Sequence, residues 1–363
     1  MQRLPVPLAA VLLVVAAFAS DLIPQLTRSI HTVELVASGA LVVILFDGGA
    51  SIGLRRFRAA ALPVVLLGLP GTFAMAGLVA AFAHWALGIG WMTAGLIGAA
   101  VAPTDPAVMF SVLGDREIEG RTDTILEGES GANDPVGIAL MLGLIELATH
   151  ADETFWVVVR VFALQMGIGL VVGIAGGVAE ARLLPRLGRY TAWISLGFAA
   201  AVFGVAALAH GSGFLAVFVA GLIRGDVEAP RHAELLAFRK RLATVAEIVV
   251  FVALGLTIEI SGIELGRWAE GLLIAAFAAI VARPAVVAAF LARVRLNVGE
   301  RVFVAWGGLK GAVPILLAAY ALLHHVDEAQ RIYETVFVVV LASVVIQGSS
   351  IPFAARRLGV EKT

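Results

Sequence analysis

Four carboxylates, Asp105, Glu127, Glu129 and Asp134, fall within thirty residues, inside stretches otherwise apolar enough to cross a bilayer. Asp105 stands in Ala-Pro-Thr-Asp-Pro at 102–106, and the other three in Leu-Glu-Gly-Glu-Ser-Gly-Ala-Asn-Asp-Pro at 126–135. A carboxylate in hydrocarbon is costly, so it persists where it faces protein or water and handles a cation or a proton. Such a group binds a proton or a metal cation but not both, because protonation removes the charge that attracts the metal. Competition at one site produces exchange, and the chemistry these residues suit is ion movement.

The neighbours fit that chemistry. Asn133 beside Asp134 supplies a neutral donor and acceptor, Ser130 lies one helical turn back on the same face, and Thr104 adjoins Asp105. Oxygen ligands of this kind suit a hard, partly dehydrated alkali cation. Counted from a boundary near Asp123, Asp134 lies about 16 Å along a helix, close to the bilayer midplane. Two intramembrane cations, Arg283 and Lys310, are the available counter-charges. A Glu129–Arg283 pair reads as structural, a neutralised ion pair that fixes helix positions. Glu127 lies with Glu129 nearer the charged end of its helix, and Lys310 is placed to compensate carbonyl ends of a broken helix.

The elements that position these groups must be membrane helices. Of 363 residues, 60% are hydrophobic and 15% charged, with a mean hydropathy of +0.96; soluble domains carry about 25% charged residues. A net charge of −1 excludes a strongly basic nucleic-acid binder. The chain has no cysteine, hence no disulfide or thiolate metal site. Segments near 5–20, 31–50, 59–85, 91–113, 124–149, 155–179, 190–209, 211–223, 242–260, 269–292, 300–322 and 332–354 give about twelve spans. No soluble domain or nucleotide-binding loop separates them, and residues 224–241 read as a basic surface strap between two helix bundles.

Lys and Arg alternate between connections. Arg55, Arg56, Arg58, Arg116, Arg121, Arg182, Arg186, Arg189, Arg224, Arg231, Arg239, Lys240, Arg241, Arg293, Arg295, Arg301, Arg356, Arg357 and Lys362 fall on one set, while the other holds Arg28, Arg267 and Arg331. By the positive-inside rule both termini are cytoplasmic. Arg3, an apolar stretch and Ala17-Phe18-Ala19 also have the form of a cleavable signal peptide, but the segment is read as a first transmembrane helix.

Two segments carry a matching defect. Pro103 and Pro106 flank Thr104-Asp105 in the fourth, and Gly-Gly-Leu-Lys-Gly-Ala-Val-Pro at 307–314 interrupts the eleventh. Proline removes a backbone donor and glycine lowers helix propensity, so both helices should break near mid-membrane, lining a cavity or covered by protein. Seven segments apart and oppositely directed, they predict that segments 3–5 and 10–12 form an inverted repeat around a central site. Elsewhere Gly169, Gly173 and Gly177 suit close helix packing, within the chain or across a dimer. Trp85, Trp91, Trp156, Trp193 and Trp268 sit near span ends as interface anchors. His84, His150, His210, His324 and His325 read as solvated loop residues.

Thr-Asp-Pro at 104–106, Glu-Gly-Glu-Ser-x-x-Asn-Asp-Pro at 127–135, Arg-Pro at 283–284 and Gly-Gly-Leu-Lys-Gly-Ala-Val-Pro-Ile at 307–315 occur in the order of a known family. In these motifs the chain resembles the monovalent cation:proton antiporters, bacterial and archaeal sodium/proton antiporters and animal exchangers, over nearly its whole length. The resemblance implies an all-α polytopic fold with two crossing broken helices. It also implies core, ion-translocating helices at about 59–149 and 269–354, and dimerisation or scaffold helices at about 1–50 and 155–223. Asp134 would carry the ion or proton, with Asp105, Thr104, Ser130 and Asn133 around it and Asp47, in Leu-Phe-Asp-Gly-Gly, nearby. A homodimer in the plasma (inner) membrane is implied, exchanging Na⁺, K⁺ or Li⁺ for H⁺ with no cofactor. With Asn133 in place of a second aspartate, one-for-one, electroneutral exchange is expected. Lys310 stands where the family usually has Arg. Many relatives have an extra N-terminal helix and a long cytoplasmic tail; tail-based regulation is not expected here. The rival readings are an uncoupled channel or transport-dead sensor on the same fold, and an intramembrane aspartyl enzyme, whose usual Gly-x-Gly-Asp is absent.

Overall fold

In hydrocarbon every backbone polar group must be paired internally, so a chain this apolar folds as helices. The computed structural model describes residues 8–22, 29–113, 118, 121–150, 152–183, 191–227 and 232–361. Arg3, Arg28, Arg116, Arg186, Arg189, Arg231 and Lys362, and with them part of the charge pattern, lie outside the described residues.

The first passes are α1 (Leu8–Leu22) and α2 (Ile30–Ala59). The third pass is α3 (Ala61–Leu66), a π-helical turn at Leu67–Gly71 and α4 (Thr72–Leu87). The fourth is split into α5 (Trp91–Val101) and α6 (Pro106–Leu113), and the fifth is α7 (Thr122–Thr149). Then come α8 (Trp156–Leu183), α9 (Thr191–Leu208), α10 (Gly213–Gly225) and α11 (His232–Gly255). The tenth pass is α12 (Leu265–Phe277), a π-helical turn at Ala278–Ala282 and α13 (Arg283–Phe290). The eleventh is split into α14 (Val298–Trp306) and α15 (Ala312–Leu323); the twelfth is α16 (Ala329–Ala342), a π-helical turn at Ser343–Gly348 and α17 (Ser349–Arg357).

This is the expected twelve-pass, all-α architecture, with the two breaks where proline and glycine place them. The third and tenth passes correspond beyond that. Each carries a π-helical turn near its middle, at Pro70 and just before Pro284. They pack on one another, with Phe82 stacked on Phe277 at 4.2 Å.

Contacts between connections define two ends of the bundle. At one, Arg56 pairs with Asp123 at 2.9 Å, Arg121 donates to the Ala59 carbonyl, and Ile118 bridges Glu361. Here α2 turns at Gly53, whose φ of 71° favours glycine, and the Asp226 carboxylate accepts the Arg55 N–H at 2.9 Å. At the other end Thr93 donates to Glu328 at 2.7 Å, the Ser261 N–H donates to Asp21, and Arg331 joins Glu270 to Glu328. The hydrogen bond from Thr93, supported by Arg331, holds the Glu328 carboxyl below the usual glutamate range. The first end carries the Arg-rich connections.

Gly169, Gly173 and Gly177 lie against Ser212, Ala216 and Ala220, so this stripe packs α8 on α10 within the chain. Two expectations change. His84 lies in the last turn of α4, half-buried, its ring stacked on Trp91 at 4.1 Å and Nδ1 2.8 Å from the Ile89 carbonyl. The 224–241 strap is largely the first turns of α11. Its Leu, Ala and Arg residues are good helix formers, and the extension buries Arg239 3.7 Å from Asp47.

Candidate ion-binding site

The unwound backbone of the fourth pass, 102–105, meets that of the eleventh, 307–311. The Asp105 N–H donates to the Leu309 carbonyl at 2.8 Å. Breaking α5 exposes carbonyls at its C-terminal end, where partial negative charge accumulates. Lys310 answers it, its Nζ donating to the Ala102 carbonyl at 3.1 Å and the Pro103 carbonyl at 3.0 Å. The Lys310 N–H is in turn held by Ser343 Oγ at 2.9 Å, in the π-helical turn of the twelfth pass. Gly311 is where the breaks crowd: a Cβ there would overlap the Asp105 carboxylate. Both half-helices thus begin at one point.

α7 passes beside this crossing. Asn133, 1% exposed, donates from Nδ2 to Thr104 Oγ1 at 2.8 Å. Asp134 is 4% exposed, and Asp105 and Lys310 are the charges that act on it. Asn133 Oδ1 and Asp134 Oδ1 are buried acceptors with no hydrogen-bond donor among the described residues. These are the oxygens a dehydrated alkali cation would use, so the donor set fits such an ion as cargo. Among the described residues no three His, Asp or Glu side chains converge as in a resident metal site.

One residue before Ser130 the same helix does something different. Glu129 and Arg283, 1% and 4% exposed, form a two-pronged ion pair, and Arg283 Nη2 also donates to the Val304 carbonyl at 3.2 Å. Lys310 is hydrogen-bonded to carbonyls instead of a carboxylate, and Glu127 has no ion pair within 4.0 Å among the described residues. The four charged residues read from sequence as structural ion-pair partners therefore divide: Glu129 and Arg283 bond together, Lys310 caps a helix end, and Glu127 faces a cavity.

That cavity, about 770 Å³, is lined by Asp105, Ser130 and Asp134 at one extreme and by Asp47, Ser51 and Glu127 toward the Arg-rich end. On α7 its lining stops at Asp134, so the half of that helix leading to the other end takes no part. Thr104 and Asn133 are not in the cavity's lining. Asp47 is in the wall, drawn toward Arg239.

Sequence reasoning missed part of this wall. Lys240, Thr244 and Glu247 line the cavity from α11, with Ala243, Val250 and Phe251 on the same face. The signal was the three- and four-residue spacing of those positions, on a helix whose charged start passed for a strap. It also missed a buried cluster in which Ser195 donates to Glu180 and Arg224 lies 3.7 Å from the same carboxylate, on α8, α9 and α10.

A family model described as "Sodium/hydrogen exchanger, transmembrane" matches residues 1–357. Among curated relatives, the K(+)/H(+) antiporter NhaP of Alkalimonas amylolytica is 35% identical over 332 residues, covering 90% of this chain and 58% of its own length. The K(+)/H(+) antiporter NhaP2 of Shewanella sp. (strain ANA-3) is 32% identical, covering 99% and 64%. The chain thus spans about three fifths of the length of these relatives. The Na(+)/H(+) antiporter NhaH of Halobacillus aidingensis is 27% identical, covering 94% and 88%. Among solved structures, the sodium proton antiporter MjNhaP1 of Methanocaldococcus jannaschii superposes with a TM-score of 0.83 at 24% identity, covering 96% of this chain and 94% of its own. That likeness establishes the fold.

Proposed function

Since the chain belongs to the transmembrane sodium/hydrogen exchanger family, we propose that it exchanges a monovalent cation for a proton by alternating access, one for one. The observation that carries this is Asp134. It lies beside the crossing of two broken helices at the inner limit of a cavity, buried, with one oxygen unpartnered. In the state with the cavity open, a cation entering from the Arg-rich, cytoplasmic end displaces the proton from Asp134. It takes oxygens from Asp134, Asp105, Ser130, Thr104 and Asn133, the Asn133 amide being oriented by its donation to Thr104. Arg283 and Lys310 neutralise Glu129 and the α5 carbonyls, so neither competes for Asp134 by hydrogen bonding.

The third to fifth and tenth to twelfth passes form the core that moves. Helices α1, α2 and α8–α10, joined by α10 on α2 and α8, form the scaffold and carry the dimer contact in the plasma (inner) membrane. The cation is Na⁺ or K⁺; relatives bear both names. Purified protein in proteoliposomes containing a pH-sensitive dye tests the reading. Pulses of Na⁺, K⁺ and Li⁺ should each be scored, and at least one should drive proton movement coupled to cation flux. Cation flux with no coupled proton movement, or no flux, overturns it.

A further inference from the structure

We propose that Glu247 of α11 is a cation-binding residue of the scaffold wall, acting on the ion only while the cavity is open to the Arg-rich end. The inference rests on the transport reading above and adds a residue to it. The cavity is lined by five carboxylates, Asp47, Asp105, Glu127, Asp134 and Glu247, and by one lysine, Lys240. Glu129 is absent from it, held by Arg283.

Glu247 comes from the opposite wall to Asp134. Its helix packs chiefly on α1 and α2 and so goes with the scaffold, whereas Asp134 stands on α7. Both helices start at the Arg-rich end and run inward, so depth can be compared along them. Counted from the first residues of α7 (Thr122) and α11 (His232), Asp134 and Glu247 lie twelve and fifteen residues in, about 18 and 22 Å of rise. Glu247 therefore reaches a depth comparable to that of Asp134, and both line the same cavity. Its Oε1 is buried without a hydrogen-bond donor among the described residues, and the Asp105 charge acts on it.

A carboxylate oxygen buried without a partner and facing a second carboxylate is unfavourable unless something positive comes between them. Asp134, 4% exposed with its own unpartnered oxygen, marks where that charge sits. A monovalent cation drawn to Asp105 and Asp134 meets Glu247 across the cavity. When the core moves against the scaffold to open the other side, Asp105 and Asp134 travel and Glu247 stays. Its contribution to affinity is thus one-sided, which a purely structural residue's would not be.

The test uses full-length protein in everted and right-side-out vesicles, with Na⁺ or K⁺, whichever drives wild-type exchange; an inactive wild type would instead sink the transport reading. Glu247→Gln should raise the half-saturating cation concentration about tenfold from the cavity side, the order expected for one carboxylate acting through a partly wetted space. Maximal rate should hold, and half-saturation from the opposite side should stay within about twofold. Glu247→Asp, which keeps the charge one methylene further back, should show a smaller shift from the cavity side and none from the other. If Glu247→Gln does not fold, Glu247→Asp must show a smaller shift confined to the cavity side. Unchanged half-saturation from that side, an equal shift from both sides, or a fall in maximal rate alone overturns the proposal.

Discussion

Asp134 keeps an unpartnered oxygen because the fixed cations around it are hydrogen-bonded elsewhere: Arg283 to Glu129 and the Val304 carbonyl, Lys310 to two carbonyls of the broken fourth pass. A buried carboxylate left this way is stable as the acid or with a bound cation. Asp134→Asn keeps the shape and removes both options. It should abolish cation-driven proton movement and the stabilisation of purified protein by added cation, while melting as a folded protein. Substantial coupled exchange in that variant would move the site to Asp105. A second expectation follows from sharing one group. Below the site's apparent pKa, apparent cation affinity should weaken about tenfold per pH unit, since each cation must displace one proton. Half-saturation measured across the acid range checks it, and a flat profile would mean separate sites. Asp134, Asp105 and Asn133 were legible because charge and amide groups stand out in apolar sequence. Glu247 was not, because it lies near a run of Arg and Lys, and only tertiary packing turns its face toward the cavity.

At the scale of elements, the breaks were legible and the bulges were not. Pro103, Pro106 and the glycines at 307, 308 and 311 each remove or weaken a backbone hydrogen bond locally, an effect that needs no knowledge of neighbours. The π-helical turns at Leu67–Gly71 and Ala278–Ala282 depend on how the third and tenth passes pack, and single prolines do not announce them. The strap was misread for a similar reason: charge at 224–241 signals an interface, but the helix continues because Arg239 reaches Asp47 across it. The Glu129–Arg283 pair ties the fifth pass to the tenth, so the two intramembrane cations differ in kind. Arg283→Ala leaves Glu129 buried and uncompensated, a loss of about 3–5 kcal/mol for pairs of this type. Lys310→Arg keeps its sign and its donors to the Ala102 and Pro103 carbonyls. Thermal melting should therefore fall far more for Arg283→Ala, and equal melting of the two variants would show that the pair does not hold these helices.

For the molecule as a whole, charge carried per cycle is decided by what moves. The cavity's carboxylates divide between helices, with Asp105 beside α6, Glu127 and Asp134 on α7, and Asp47 and Glu247 on α2 and α11; in the proposed reading the first three belong to the moving core and the last two to the stationary wall. In that reading, groups on the stationary wall would shape affinity without being translocated. On the passes proposed to move, Glu129 is neutralised by Arg283, and Asn133 stands where a second titrating acid would have altered the count. If Asp134 alone changes occupancy, the core crosses with one positive charge bound in either direction, a proton one way and a cation the other. The net transfer is zero. An imposed potential then does no work on the cycle, although moving one net charge through 100 mV would be worth about 2.3 kcal/mol, enough to shift an electrogenic exchange severalfold. Exchange in proteoliposomes whose potential is clamped with valinomycin at differing K⁺ gradients should proceed at the same rate, Na⁺ being the driving cation. Acceleration of the wild-type protein by an inside-negative potential would require Asp105 or another acid of the moving wall to take up a second proton. In that event, Asp105→Asn, if it folds and exchanges, should restore insensitivity to the clamp.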